Sequence, residues 1–233
     1  IKKDLFYSRA KNFPSYRAKT LFSENIPVEV YDNLIESVHQ NLGPLYKYFG
    51  LRKRLLKLDE LHMYDCSVPL VEGIKWHMPF DQAVKEIQTA LNPLGDEYVE
   101  QVTRGLTTER WTDRYENKGK RSGAYSSGCY DSNPFILMNY REDNINSVYT
   151  LAHEAGHSMH SFYSRKNQPY LYSDYTIFVA EVASTFNESL LTRHFLGQDL
   201  ESDMRIYLIC REIDNFRGTL YRQTMFAEFE YQV

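Results

Sequence analysis

Residues 146–164 repeat with helical period and present two incompatible faces. Val148, Leu151, Ala152, Ala155, Met159 and Phe162 fall on one side of a 3.6-residue helix, and His153, His157 and His160 fall on nearly the opposite side. An apolar side this wide must be buried, so the segment predicts a long helix seated in a core. A merely solvated outer face would carry Lys and Glu; three histidines within eight positions predict a function for it.

Within that helix, residues 153–157 read His-Glu-Ala-Gly-His. Two imidazoles one turn apart can meet one Zn²⁺ at about 2.0–2.1 Å. Glu154 lies about 100° round the helix, where its carboxylate can hold water beside the ion without ligating it. A catalytic zinc needs a third protein ligand and an open position. Gly at 160 with His at 163 would supply one known pattern, but the residues are His160 and Tyr163. Glu at 177 would supply another, but that residue is Ile177. The remaining carboxylates are Asp174, Glu181 and Glu188. Asp174 is placed to cap a helix. Glu181 sits in an apolar stretch, where an unpaired carboxylate is costly, and is read as the third ligand. Glu188, seven residues on and on the same face, is read as the acceptor that orients a ligand imidazole. A plain salt bridge is its alternative.

The rest of the chain reads as further helices. The spacing predicts them over 28–42 (Val30, Leu34, Ile35, Val38, Leu42), 45–58, 79–91, 96–106, 175–196 and 200–230, with 62–78 irregular and 1–26 mixed. The basic run Arg52, Lys53, Arg54 and Lys57 reads as a solvated face near a helix C-terminus. Residues 111–140 differ: Tyr, Gly and Ser dominate, then Pro134 to Tyr140 reads as a strand. The fold class expected is mainly α-helical, with a small antiparallel β-sheet next to the motif helix. Residues 1–110 would form a helical part and 111–233 the metal-binding core, together one structural unit. The chain starts at Ile1 and stops mid-pattern at Val233, which suggests a fragment of a longer protein.

Composition excludes several function classes. Twenty-seven basic and 31 acidic residues are interspersed, for a net charge of −4, so no nucleic-acid footprint exists. No apolar run is long enough to span a bilayer. Cys66, Cys129 and Cys210 form no paired motif and read as buried, reduced thiols, which suggests a cytoplasmic protein.

His-Glu-Ala-Gly-His-Ser-Met-His (153–160) with Glu181 and Glu-Val-Ala-Ser-Thr-Phe-Asn-Glu (181–188) resembles the M3 family of zinc oligopeptidases. KRSGAYSSGCYDSNPFILMN (120–139), FVAEVASTFNESLL (178–191) and FRGTLYRQTMFAEFE (216–230) are similar to its oligoendopeptidase F branch. The resemblance implies a zincin-like metallopeptidase core holding one Zn²⁺ on His153, His157 and Glu181. It implies Glu154 as catalytic acid/base, and His160 and Glu188 in support. Phe135, Ile136, Leu137, Met138 and Asn139 would present a strand edge to a short peptide substrate. It also implies that the remaining segments of the parent chain complete the cleft, including a His- and Tyr-bearing segment that contacts the substrate carbonyl. An isolated piece of this extent is therefore expected to be weakly active, or only a zinc-binding module. A carboxypeptidase-type helical zincin is the other reading.

Overall fold

The computed structural model describes residues 2–232. Ten α-helices run in chain order: α1 (Lys2–Ala10), α2 (Tyr16–Ser23), α3 (Val28–Gln40), α4 (Gly43–Leu55), α5 (Phe80–Ala90), α6 (Asp96–Leu106), α7 (Ile145–Asn167), α8 (Ile177–Leu196), α9 (Ser202–Phe216) and α10 (Arg222–Gln232). Three short strands lie between α6 and α7: β1 (Thr112–Asp113), β2 (Tyr125–Ser127) and β3 (Phe135–Leu137). The chain folds into two compact units, one from the residues before Gly73 and after Glu201, the other Gly73–Glu201. The boundary read from the sequence at 110/111 falls inside the second unit, where Trp111 packs against Gly105. A Cβ on Gly105 would lie 2.4 Å from the indole. No helix among the described residues is long and apolar enough to cross a membrane.

Among its described residues the first unit contains helices and no strand. Pro44 opens α4 at its first turn. The segment expected as one helix over 200–230 is continuous but changes pitch: Arg217–Tyr221 form a π-helical turn between α9 and α10. α10 lies along α3. The Tyr31 hydroxyl donates to the Ala227 carbonyl, and His39 Nε2 lies 2.8 Å from Glu228 Oε2.

Arg52 corrects the sequence reading. Lys53, Arg54 and Lys57 are exposed as expected, but Arg52 is only 1% exposed. Its guanidinium donates to the Tyr48 hydroxyl (3.1 Å) and to the carbonyls of Asp65 (3.0 Å) and Val68, and faces Asp214 at 3.8 Å. The two carbonyls belong to a 3₁₀ turn, Met63–Ser67, and the residue after it. Arg52 thus ties α4 to the turn by charge-assisted hydrogen bonds, adding a second donor to the Asp65 carbonyl, which also accepts from the Val68 amide (3.2 Å). Arg52→Ala should cost about 3–5 kcal/mol, as for removal of one partner from a buried charged network. Denaturant titration of wild type and variant checks this, and a change below about 1 kcal/mol would contradict it.

The second unit holds the larger core. Phe80, Val84 and Ile87 of α5, Val102 and Leu106 of α6, and Val148, Leu151, Ala155 and Met159 of α7 are all buried. The apolar side read for the motif helix is the side that packs. The sheet has the order β1-β3-β2. It is mixed rather than antiparallel, which corrects the expected pattern: β3 pairs antiparallel with β2 and parallel with β1. The chain reverses once between β1 and β2 and again between β2 and β3. Two reversals return β3 to the direction of β1, and β3 inserts between the other two.

The cysteines are all free. Cys66 is buried, Cys210 intermediate and Cys129 exposed, so the expectation of three buried thiols holds only at Cys66.

Candidate metal centre

The α7 helix starts at Asn144, whose side chain accepts from the Asn146 amide (3.0 Å). Two turns on, it presents His153 and His157 with their Nε2 atoms 3.2 Å apart. The α8 helix supplies the third group: Glu181 Oε2 lies 3.3 Å from each of those nitrogens. Three donors around a tetrahedral ion at about 2.0–2.1 Å would stand about 3.3–3.4 Å apart. The observed spacings match that spread. This trio is the one group of three or more such side chains able to hold a metal among the described residues.

Gly156 makes the convergence possible. A Cβ there would meet Ser184 Cα at 2.6 Å, the Ala183 carbonyl at 2.7 Å and Ser184 N at 2.8 Å. All three are backbone atoms, so only a glycine lets the helices cross this closely. Asn187, buried on α8, locks the crossing by donating to the Ala152 carbonyl (3.1 Å). The Ser184 hydroxyl donates to Glu181 Oε2 (2.7 Å) and so aims the carboxylate. Glu181 itself is exposed, with Phe178, Val182 and Phe186 exposed around it. The apolar stretch that pointed to Glu181 is therefore not buried in this unit. The carboxylate is held by Ser184 and by the histidines rather than by a dry pocket.

Glu188 Oε1 lies 2.8 Å from His153 Nδ1. A ring that donates its Nδ1–H there turns its Nε2 lone pair towards the trio. Burial pushes His153 down, but the Glu188 hydrogen bond and the charges of Glu188, Glu154 and Glu181 outweigh it and leave the value raised. Burial lowers His157, against the pull of Glu181. A metal must displace the proton from His153, so loading should weaken as pH falls through its raised value. Glu188→Gln should cost about 10–100-fold in metal affinity at neutral pH. Because the same substitution lowers the proton affinity of His153, the gap to wild type should narrow in acid. Competition with a coloured chelator across pH measures both, and equal affinities at neutral pH would refute the role given to Glu188.

Glu154 lies beside the trio, 6% exposed. Burial, then the Glu181 charge, raises its carboxyl above the usual range, opposed by His153 and by a hydrogen bond from the Ser126 backbone amide. Its Oε2 is buried with no hydrogen-bond partner. An orphaned carboxylate oxygen next to three convergent donors is what a water on a bound ion would satisfy. The donor set and this orphan both fit a metal with one open position.

His160 is placed apart from the trio. Its ring stacks on Tyr175, with centroids 3.6 Å apart and planes 8° apart, and its Nδ1 is buried without a partner. Asp174 is exposed, and the residue before α8 is Thr176, which makes no side-chain cap. Residues 135–139 correct the expected edge. β3 is the central strand, flanked on both sides, so the segment Phe135 to Leu137 has no free edge. Ile136 and Met138 are buried, and Asn139 Nδ2 donates to the carbonyls of Arg121 (2.9 Å) and Gly123 (3.1 Å), pinning the Gly-rich loop. The edges belong to β1 and β2, and β2 is the one beside Glu154. Ile136 N donates to Trp111 O (2.7 Å) and Met138 N to Asp113 O (3.1 Å), on the β1 side. Phe135 and Leu137 therefore pair with Ser127 and Tyr125, and the Ser126 amide and carbonyl point outward, the amide to Glu154. Sequence reasoning missed Ser126, Ser184 and Asn187. For Ser184 and Asn187 the one signal in the sequence was that polar residues stand on a helix face otherwise used for packing; Ser126, in β2, gave none.

A helical unit with a small sheet, two helices crossing at a glycine, and a His-His-Glu trio beside a buried glutamate make up a candidate metal centre. The model of Peptidase family M3 matches residues 1–233, and the chain belongs to that family. It is 49% identical over 233 residues to Oligopeptidase PepF of Bacillus subtilis (strain 168), covering 100% of this chain and 34% of that protein. It is 45% identical over 231 residues to the Oligoendopeptidase F homolog of Borreliella burgdorferi, covering 99% of this chain and 39% of that protein. A crystal structure from Chlamydophila abortus matches with a TM-score of 0.89 at 45% identity, over 99% of this chain and 38% of that one. The oligoendopeptidase-F structure from Enterococcus faecium matches at 0.66 and 32%, over 99% and 33%. The chain thus spans between a third and two fifths of the length of these relatives.

Proposed function

We propose that this chain carries the catalytic centre of a zinc-dependent endopeptidase that hydrolyses short peptides in the cytoplasm. The observation that carries the reading is the convergence of His153, His157 and Glu181 at tetrahedral spacing beside a buried, partnerless Glu154 oxygen. Family membership and the names of the relatives support peptides as substrates. The two-imidazole, one-carboxylate set suits Zn²⁺. Three unpaired cysteines suit a reducing compartment.

His153, His157 and Glu181 would hold the ion. When bound, Zn²⁺ supplies a water of lowered pKa and a positive charge for the oxygen of the scissile carbonyl. The Glu154 carboxyl, raised by burial, is placed to take a proton from an attacking water and would return it to the leaving amine. The net change is one water consumed, one peptide bond broken, and one carboxylic acid and one amine formed. The peptide backbone would dock on the free edge of β2, where the Ser126 carbonyl faces outward one residue from the strand's paired positions.

The full-length protein that contains this chain should cut a peptide with both ends blocked at internal bonds. Activity should vanish with chelator and return with Zn²⁺. Fragment mapping by mass spectrometry reads the outcome. Removal of terminal residues only, from unblocked peptides, would favour a carboxypeptidase, and cleavage indifferent to chelator would end the metal reading.

A further inference from the structure

Ser158 is fully buried on the face of α7 that otherwise carries Leu151, Ala155 and Met159. A hydroxyl is a poor filler there, since Ala packs as well and has no polar group to satisfy. In a helix such a hydroxyl usually bonds back to the preceding turn. Here it leaves the helix: Ser158 Oγ lies 2.8 Å from Ser126 Oγ in β2 and 3.5 Å from the carbonyl of Pro134, the residue before β3. One turn earlier, the Glu154 carboxyl faces the Ser126 backbone amide. Two turns later, Arg165 Nη2 donates to the Gly128 carbonyl just past β2 (3.0 Å). Glu154, Ser158 and Arg165 lie within about 40° of one another around α7. They form a polar line that grips β2 at its middle and at its end.

We infer that Ser158 is a positioning residue: its hydroxyl fixes the free edge of β2 at the height of the Glu154 carboxylate, with Arg165 holding the strand's far end. The inference rests on the peptidase reading above and adds to it a determinant of backbone register. β2 is three residues long, and a strand that short has too few ladder bonds to hold its own height. An error of about 1 Å in that height would displace a docked peptide bond from Glu154, and misplacements of that size are costly to catalysis.

The test uses the full-length protein with Ser158→Ala, Ser126→Ala and the double variant. Ser147→Ala serves as control, because it removes another hydroxyl from α7, one that accepts from the Arg141 amide (3.0 Å) at the helix's opposite end. Amide hydrogen exchange of residues 124–128 should be at least tenfold faster in Ser158→Ala and unchanged in the control. On a quenched peptide, kcat/KM should fall about tenfold in each single variant, mostly through KM, and no further in the double. Melting temperature and bound metal should stay at wild-type values. Unchanged exchange at 124–128, losses that add in the double variant, or a rate loss that tracks lost metal or stability would each overturn the inference. If the wild type cleaves no peptide, the peptidase reading falls and takes the positioning role with it. The exchange arm still decides whether Ser158 holds β2.

Discussion

Glu154→Gln should lower kcat/KM for an internal peptide bond by about 10²–10⁴-fold while leaving the bound metal in place. The amide has the shape of the carboxylate and keeps an oxygen that can accept from the Ser126 backbone, so the local structure persists. It cannot take a proton from water. Nor does Glu154 belong to the trio of donor atoms, which is built from His153, His157 and Glu181. Stability should hold or rise slightly, because burying a neutral amide costs less than burying a carboxylate with a partnerless oxygen. A quenched-peptide assay beside metal analysis reads both quantities. Undiminished cleavage would remove Glu154 from the reaction, and loss of metal would move it into the ligand set.

The second large effect is expected at Gly156. Ala there places a methyl 2.6–2.8 Å from three backbone atoms of Ala183 and Ser184. No side-chain rotation relieves such a clash. Ordinary contact needs about 3.5–4.0 Å, so α8 must retreat by roughly 1 Å. Glu181 travels with it, the 3.3 Å spacings to His153 and His157 open, and the Asn187 bond to Ala152 stretches. Gly156→Ala should cost about 1–3 kcal/mol as overpacking. It should also weaken metal binding by more than tenfold. Gly218→Ala is the matched control, since a Cβ there meets nothing within 4 Å. It should be neutral or slightly stabilising, as Ala is the better helix former by about 1 kcal/mol. Thermal unfolding and chelator competition on both variants decide the matter. Equal metal affinity in Gly156→Ala and wild type would show that the close crossing does not set the site.

The helices of the second unit were legible where they bury a stripe, because a stripe leaves a period; α2 buries no residue, and the mixed reading of 1–26 missed it. Val148, Leu151, Ala152, Ala155 and Met159 mark α7, and all five are buried. Arg52 was not legible. A buried arginine and an exposed one look alike in a basic run, and only the carbonyls of Asp65 and Val68 arriving from a distant turn distinguish them. The sheet misled for a related reason. Phe135 to Leu137 is the most strand-like string in its region, yet strand character favours the centre of a sheet as readily as its rim. The polar Tyr125–Ser127 is the edge on the Glu154 side, where backbone unpaired by a strand faces that carboxyl.

Sequence by itself determined what lies within one helix. The separation of four residues stacks His153 over His157, and the intervening position turns Glu154 aside, because the helical repeat fixes angles over so short a span. Tertiary structure decided everything measured between elements. That Glu181 reaches both imidazoles, that Glu188 backs one of them, and that β2 rather than β3 faces Glu154 all depend on how closely α7, α8 and the sheet approach. Those distances are set by packing at Gly156 and Ser158, and packing is a property of pairs of segments that no single stretch of sequence contains.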